Sequence, residues 1–130
     1  PVPGSVVLPD GRRLLAEFLP LDPSRPVLRS DAEVELDARP LDGGPLHVRW
    51  PRAGDRFRGL GAPGSKPLRR FLADAGIPRE ERDRVPLVVC GEEIVWVAGV
   101  RPAHRCRVLP DTHVRLRLGL YDPPGATPRR

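Results

Sequence analysis

Five cations, Arg56, Arg58, Lys66, Arg69 and Arg70, fall within fifteen residues of chain. Guanidinium groups are flat forks that match pairs of phosphate oxygens, so Arg in such numbers suits a polyanion better than a single small acid. Mounted on a loop and on the solvent face of the helix it leads into, these groups would track a phosphate backbone. Such contacts release counterions, weaken steeply with salt and need not read base identity. The alternative is a solvated surface whose cations pair with Asp55, Asp74 or Asp83. Asp55, adjacent to Arg56, is the expected structural partner and brace of the loop.

The surrounding charge is uneven. The chain carries 22 Lys+Arg against 17 Asp+Glu, a formal +5, and every cation except Lys66 is Arg, a bias that a GC-rich genome would also produce. Residues 1–48 hold 5 basic and 8 acidic side chains, residues 49–84 hold 10 and 5, and residues 85–130 hold 7 and 4. Basicity therefore begins at Arg49, which points to a polyanionic partner.

Other chemistries find little support. Gly59 to Lys66 has the outline of a phosphate loop, but a Walker loop needs Lys before Ser/Thr and a buried strand ahead of it, whereas here Ser65 precedes Lys66 and Pro67 follows. What survives is a helix start whose amides, beside Lys66, would favour an anion; the plainer reading is a Gly-rich connection with Ser65 as N-cap. Ser occurs only at positions 5, 24, 30 and 65, with no Gly-x-Ser-x-Gly elbow, so no catalytic residue is assigned. Cys90, His104 and Cys106 lack a fourth metal ligand and read as two reduced thiols and a surface imidazole, so no metal site is assigned. Trp50 and Trp96 fall on predicted strands, where core packing is expected over base stacking.

The elements that must hold these groups are short. With 18 Pro in 130 residues, long helices are excluded. Extended segments are predicted at Arg12 to Leu19, after the Pro9-Asp10-Gly11 turn, and at Glu33 to Asp37, whose alternation reads as a half-buried strand. Pro20 to Ser30 reads as loop, and Leu46 to Trp50 as a further strand that Pro51 stops. Glycines at 54, 59, 61 and 64 imply a shaped loop. An amphipathic helix over about 66–75 follows, with Leu68, Phe71, Leu72 and Ala75 as its apolar stripe and Gly76 as its terminator. A very short helix over about 78–84 starts at Pro78, with Glu80 and Glu81 in its first turn. Leu87 to Cys90 and Ile94 to Ala98 form a hairpin across Gly91-Glu92-Glu93. Cys106 to Leu109 and His113 to Leu118 complete the strands.

The predicted fold class is α+β and β-rich, a mixed or antiparallel β-sandwich or barrel-like sheet carrying these two helices. Residues 1–121 are expected to form one domain with a possible subdomain loop at 41–45, and residues 122–130 a disordered tail or linker. No apolar run reaches membrane-spanning length and no secretion signal is visible, so a cytoplasmic location is expected. The chain has no Met, and we expect it to be a piece of something longer.

One ordered set of residues resembles a known family. Gly54-Asp55-Arg56-Phe57 is followed by Leu60-Gly61, Gly64-Ser65-Lys66, Leu68, Phe71-Leu72 and Asp74. Ile77-Pro78-Arg79, Arg82-Asp83, Pro86-Leu87-Val88, Ile94, Trp96-Val97, Gly99 and Arg101 come next. The set resembles the C-terminal, substrate tRNA-binding region of bacterial tRNA(Ile)-lysidine synthetase. The likeness covers about residues 31–108 and is densest between 54 and 101. Ala53 and Lys66-Pro67 depart from the family's frequent Pro and Lys-Lys.

The resemblance implies a β-rich sandwich of unusual topology that holds tRNA(Ile), including its acceptor-stem side, without catalysing anything and without a cofactor of its own. It further implies a parent ligase whose N-terminal catalytic domain, marked by a Ser-Gly-Gly-x-Asp-Ser loop not found here, uses ATP with Mg to adenylate the wobble cytidine before free lysine displaces AMP. That catalytic domain, and a second copy in a homodimer, are the expected protein partners; no membrane is. Combined with the charge step, it points to Arg56, Arg58, Lys66, Arg69, Arg70, Arg82 and Arg101 as RNA-binding residues. The alternative reading is a structural or docking module that packs on the catalytic domain or a second subunit without touching RNA.

Overall fold

Alternating apolar residues in the chain resolve into two four-stranded sheets in which every pairing is antiparallel. The structure is a computed structural model and describes residues 4–19, 32–41, 45–110, 112 and 114–122. The strands β1 (Gly4–Val7), β2 (Arg13–Leu19) and β3 (Glu33–Asp37) are followed by β4 (Leu46–Arg49), β5 (Arg56–Phe57) and β6 (Lys66–Pro67). Helix α1 (Leu68–Asp74) and a 3-10 turn at Arg79–Arg84 come next. They lead to β7 (Leu87–Cys90), β8 (Glu93–Val97), β9 (Arg101–Pro102) and β10 (Arg115–Tyr121).

One sheet runs β1-β2-β10-β3, with the last strand inserted between the second and third, and the other runs β4-β7-β8-β9. Their buried faces, Leu14, Val34, Leu36, Leu116 and Leu118 on one and Leu87, Val89, Val95 and Val97 on the other, share one apolar core with Phe57, Leu68, Phe71 and Leu72. A β-rich α+β fold with two short helices is what the pattern predicts, and the hairpin of β7 and β8 turns at Gly91, with φ +61°, as expected.

Several boundaries differ for physical reasons. The predicted strand at Cys106 to Leu109 is a 3-10 turn at His104–Cys106 followed by irregular chain, and β8 pairs instead with Arg101–Pro102. The final strand starts at Arg115, later than His113. The edge strand β1, not anticipated, pairs with β2 across the predicted Pro9-Asp10-Gly11 turn. Helix α1 starts at Leu68, two residues late, because Lys66 and Pro67 pair with Phe57 and Arg56 as a miniature sheet. Ala75 is the exposed C-cap and is not in the apolar stripe, while Gly76, at φ +82°, ends the helix as expected.

Strand β3 is not half-exposed. Val34 and Leu36 face the core, yet Glu35 and Asp37 on the other face are buried too. Arg115 reaches Glu35 at 3.1 Å, and Arg39 and the Thr112 hydroxyl, at 2.9 Å, donate to Asp37. Burial works against an ionised Asp37, but these donors outweigh it and hold its carboxyl below the usual range.

Trp96 is fully buried as expected, but Trp50 is 37% exposed, because it stands past the last paired residue of β4, just before Pro51. Cys90 and Cys106 are free thiols, and burial pushes Cys106 up to about 12. Among the described residues no three His, Cys, Asp or Glu side chains gather to hold a metal, and no helix is long and apolar enough to cross a membrane. The expected loop at 20–30, the middle of the 41–45 loop and nearly all of the expected tail lie outside the described residues.

Candidate nucleic-acid interface

The Gly-rich loop gets its shape from a bidentate pair at its base. Arg49, the last residue of β4, donates from its two terminal nitrogens to Asp55 at 2.8 and 2.9 Å, and the Arg52 amide donates to the same carboxylate at 2.8 Å. The hydrogen bond from Arg49 holds Asp55 below the usual carboxylate range and raises Arg49 in return. Asp55 therefore braces the loop as expected, but its partner is Arg49 and not Arg56. The Asp55 carbonyl accepts the Leu68 N–H at 2.8 Å, so one residue ties strand end, loop and helix start together. Gly54, at φ +87°, supplies the left-handed step just before it.

Against this frame lies a cleft of about 830 Å³, between the loop, α1 and the 3-10 turn. Arg52 and Arg56 line it from the loop, Arg69 from the helix, and Arg79 and Arg82 from the 3-10 turn. Two carboxylates also line it. Asp55 is consumed by Arg49, and Asp83 makes no hydrogen bond or ion pair among the described residues. Arg56 donates to the Ser65 hydroxyl at 3.3 Å and to its carbonyl at 3.2 Å, pinning the two ends of the loop. The Arg82 Nε donates to the Ile77 carbonyl at 2.9 Å, which orients its fork. The result is five guanidinium groups around one depression, a surface that favours several anionic oxygens in series.

Three of the seven predicted residues, Arg56, Arg69 and Arg82, thus come together. Arg58 does not line the cleft; its Nε donates to Ala62 at 2.8 Å and braces the glycine turn. That turn is held again where Gly61 N–H donates to His104 Nδ1 at 3.1 Å. Lys66 pairs with Asp74 at 2.8 Å, and Lys66 and Arg101 each stand 5.9 Å from the centre of the Phe71 ring. Arg70 is exposed on α1 outside the cleft lining.

The anion site expected from helix amides beside Lys66 is not formed as predicted. Pro67 has no N–H, the Leu68 amide is taken by Asp55, and Lys66 turns to Asp74. Ser65 is likewise no N-cap, since Pro67 holds that position without a side-chain bond. Arg52 and Arg79 are members that the spacing did not single out. Their signal was position: each sits one residue after a proline, Pro51 and Pro78, at the entrance to a turn.

A β-rich domain of two antiparallel sheets, with an arginine-walled cleft beside a short helix, is the class that fold and site define. Residues 46–118 match the family model described as the TilS substrate C-terminal domain. The chain is 43% identical over 115 residues to the tRNA(Ile)-lysidine synthase of Symbiobacterium thermophilum, covering 88% of this chain and 23% of that protein. It is 36% identical over 123 residues to the enzyme of the same name from Oceanobacillus iheyensis, covering 92% and 25%. A crystal structure of the TilS C-terminal domain superposes with a TM-score of 0.73 at 31% identity, covering 93% of this chain and 92% of that one. The chain belongs to the TilS C-terminal domain family and spans about a quarter of the length of these two relatives.

Proposed function

We propose that this domain binds substrate tRNA(Ile) for a lysidine-forming ligase, with the arginine cleft seated on the phosphate backbone. The observation that carries the reading is the convergence of Arg52, Arg56, Arg69, Arg79 and Arg82 on one depression whose inner carboxylate is already neutralised by Arg49. Arg70, Arg58, Lys66 and Arg101 extend the basic surface around it, with Lys66 muted by Asp74. The domain performs no chemistry itself. It orients tRNA, from the acceptor-stem side, for a catalytic domain of the whole protein that uses ATP with Mg and lysine in the cytoplasm. The names of the relatives, all tRNA(Ile)-lysidine synthases, support that substrate.

Titration of the chain with a tRNA(Ile) transcript between 50 and 300 mM salt tests the reading. Affinity should fall steeply as counterions are restored, and an affinity indifferent to salt overturns it. A docking role toward the catalytic domain or a second subunit is favoured by one feature, the exposed Val6, Val7 and Leu15 on β1 and β2. Charge reversal at Arg69 and Arg79 separates the two, because docking alone leaves tRNA affinity intact.

A further inference from the structure

Trp50 lines a second cleft, and what that cleft can hold deepens the RNA-binding reading, on which this inference rests. The cleft has a volume of about 390 Å³. It is walled by Pro9 and Asp10 from the turn between β1 and β2, and by Asp83 and Arg84 from the end of the 3-10 turn. Asp83 also lines the arginine cleft, so the two depressions share a wall. A large aromatic ring left 37% exposed beside a basic cleft, while the other Trp is fully buried, is not explained by core packing.

We propose that the Trp50 cleft receives one unpaired nucleobase of the RNA whose backbone occupies the arginine cleft. An indole offers a broad apolar face on which any base can stack, and stacking is sequence-tolerant because every base has a π-face. A neutral base suits this wall, because Asp10 is already ion-paired with Arg12, which donates from its amide at 3.0 Å and its Nε at 2.6 Å, and Asp83, without a partner among the described residues, disfavours a phosphate inside the Trp50 cleft. Arg84 in the same wall supplies a cation for the adjoining phosphate. A base inside a duplex has both faces covered, so the cleft discriminates in favour of a single-stranded end or loop next to a helix. A proline-rich peptide also suits a Trp- and Pro-lined cleft, but it carries no charge to engage the five guanidiniums next door.

Two RNA hairpins with one common stem, one blunt and one with a three-nucleotide single-stranded extension, test this by affinity and by Trp fluorescence at fixed salt. The buried Trp96 should stay silent, so a quench reports Trp50. The extended hairpin is expected to quench fluorescence and to bind about 5- to 100-fold more tightly than the blunt one. Trp50→Ala should abolish that advantage without changing blunt affinity, and Trp50→Phe should keep most of it. Equal affinity of the wild-type chain for both hairpins overturns the proposal, as does an equal loss on both with Trp50→Ala, or a quench by a proline-rich peptide and none by the extended RNA. If Trp50→Ala fails to fold, the wild-type comparison decides alone. Salt-sensitive binding of the blunt hairpin with no gain from the extension sinks this inference only, whereas binding of neither hairpin sinks the RNA-binding reading with it.

Discussion

Arg49 and Asp55 face each other across the base of the Gly-rich loop in a two-pronged pair, with both side chains mostly withdrawn from water. The pair neutralises one of the two acids that line the arginine cleft, Asp83 being the other, and it fixes the loop that carries Arg52 and Arg56. Asp55→Ala leaves a half-buried guanidinium without its partner and should destabilise the chain by about 1–3 kcal/mol, read by urea denaturation at pH 7. A variant as stable as wild type would show that the pair does not hold the loop.

The same pair sets an acid limit. The folded Asp55 titrates below its ordinary 3.8, so the unfolded chain binds protons first as pH falls. The stabilisation is complete above about 3.8 and is lost as pH drops through the folded value. Asp37 behaves alike on the opposite sheet. Melting curves between pH 7 and 2 should show a steeper acid decline in wild type than in Asp55→Asn.

His104 gives a second pH response, confined to the glycine turn. Burial first, then the charges of Arg107 and Arg58, hold its imidazole below the ordinary 6.5. Its Nδ1 must be unprotonated to accept the Gly61 amide. The contact is therefore intact above about pH 6.5 and lost as pH falls through the folded value. Hydrogen exchange at Gly61, corrected for intrinsic rate, should accelerate over that range in wild type. In His104→Ala it should be fast throughout.

Gly59 has no room for a side chain. A Cβ there would lie 2.8 Å from Arg101 Cδ and 3.2 Å from the Phe71 ring, which packs edge-on against Phe57 at 4.8 Å. Gly59→Ala should cost about 1–3 kcal/mol by overpacking, measured by thermal melting. Gly64→Ala, which meets open space, serves as the control.

Asp74 withholds a cation from the surface. Asp74→Asn removes the Lys66 ion pair and should raise tRNA affinity while steepening its salt dependence. Fluorescence anisotropy at two salt concentrations reads both effects, and weaker binding would contradict them.

Elements whose signals are local were legible in the sequence. The β7–β8 hairpin and the stripe of Leu68, Phe71 and Leu72 each contain enough residues to display a period. The two-residue strands at Arg56–Phe57, Lys66–Pro67 and Arg101–Pro102 cannot, since alternation needs a longer run and Pro speaks against a strand. The burial of Glu35 was hidden because its partner Arg115 lies 80 residues away. The site divides in the same manner. Arg56, Arg69 and Arg82 converge because loop, helix and 3-10 turn follow one another closely in the chain. Lys66 and Arg101 are diverted to the Phe71 ring by packing that no spacing announces.

The slope of log affinity for tRNA(Ile) against log salt, compared between wild type and an Arg52→Gln, Arg69→Gln, Arg79→Gln variant, tests the central claim most directly. If the cleft grips phosphates, each lost contact lowers the slope by about 0.7–0.9, so the triple variant should fall short of wild type by roughly two to three units. An unchanged slope in a folded variant would mean that the arginine cleft does not touch the RNA.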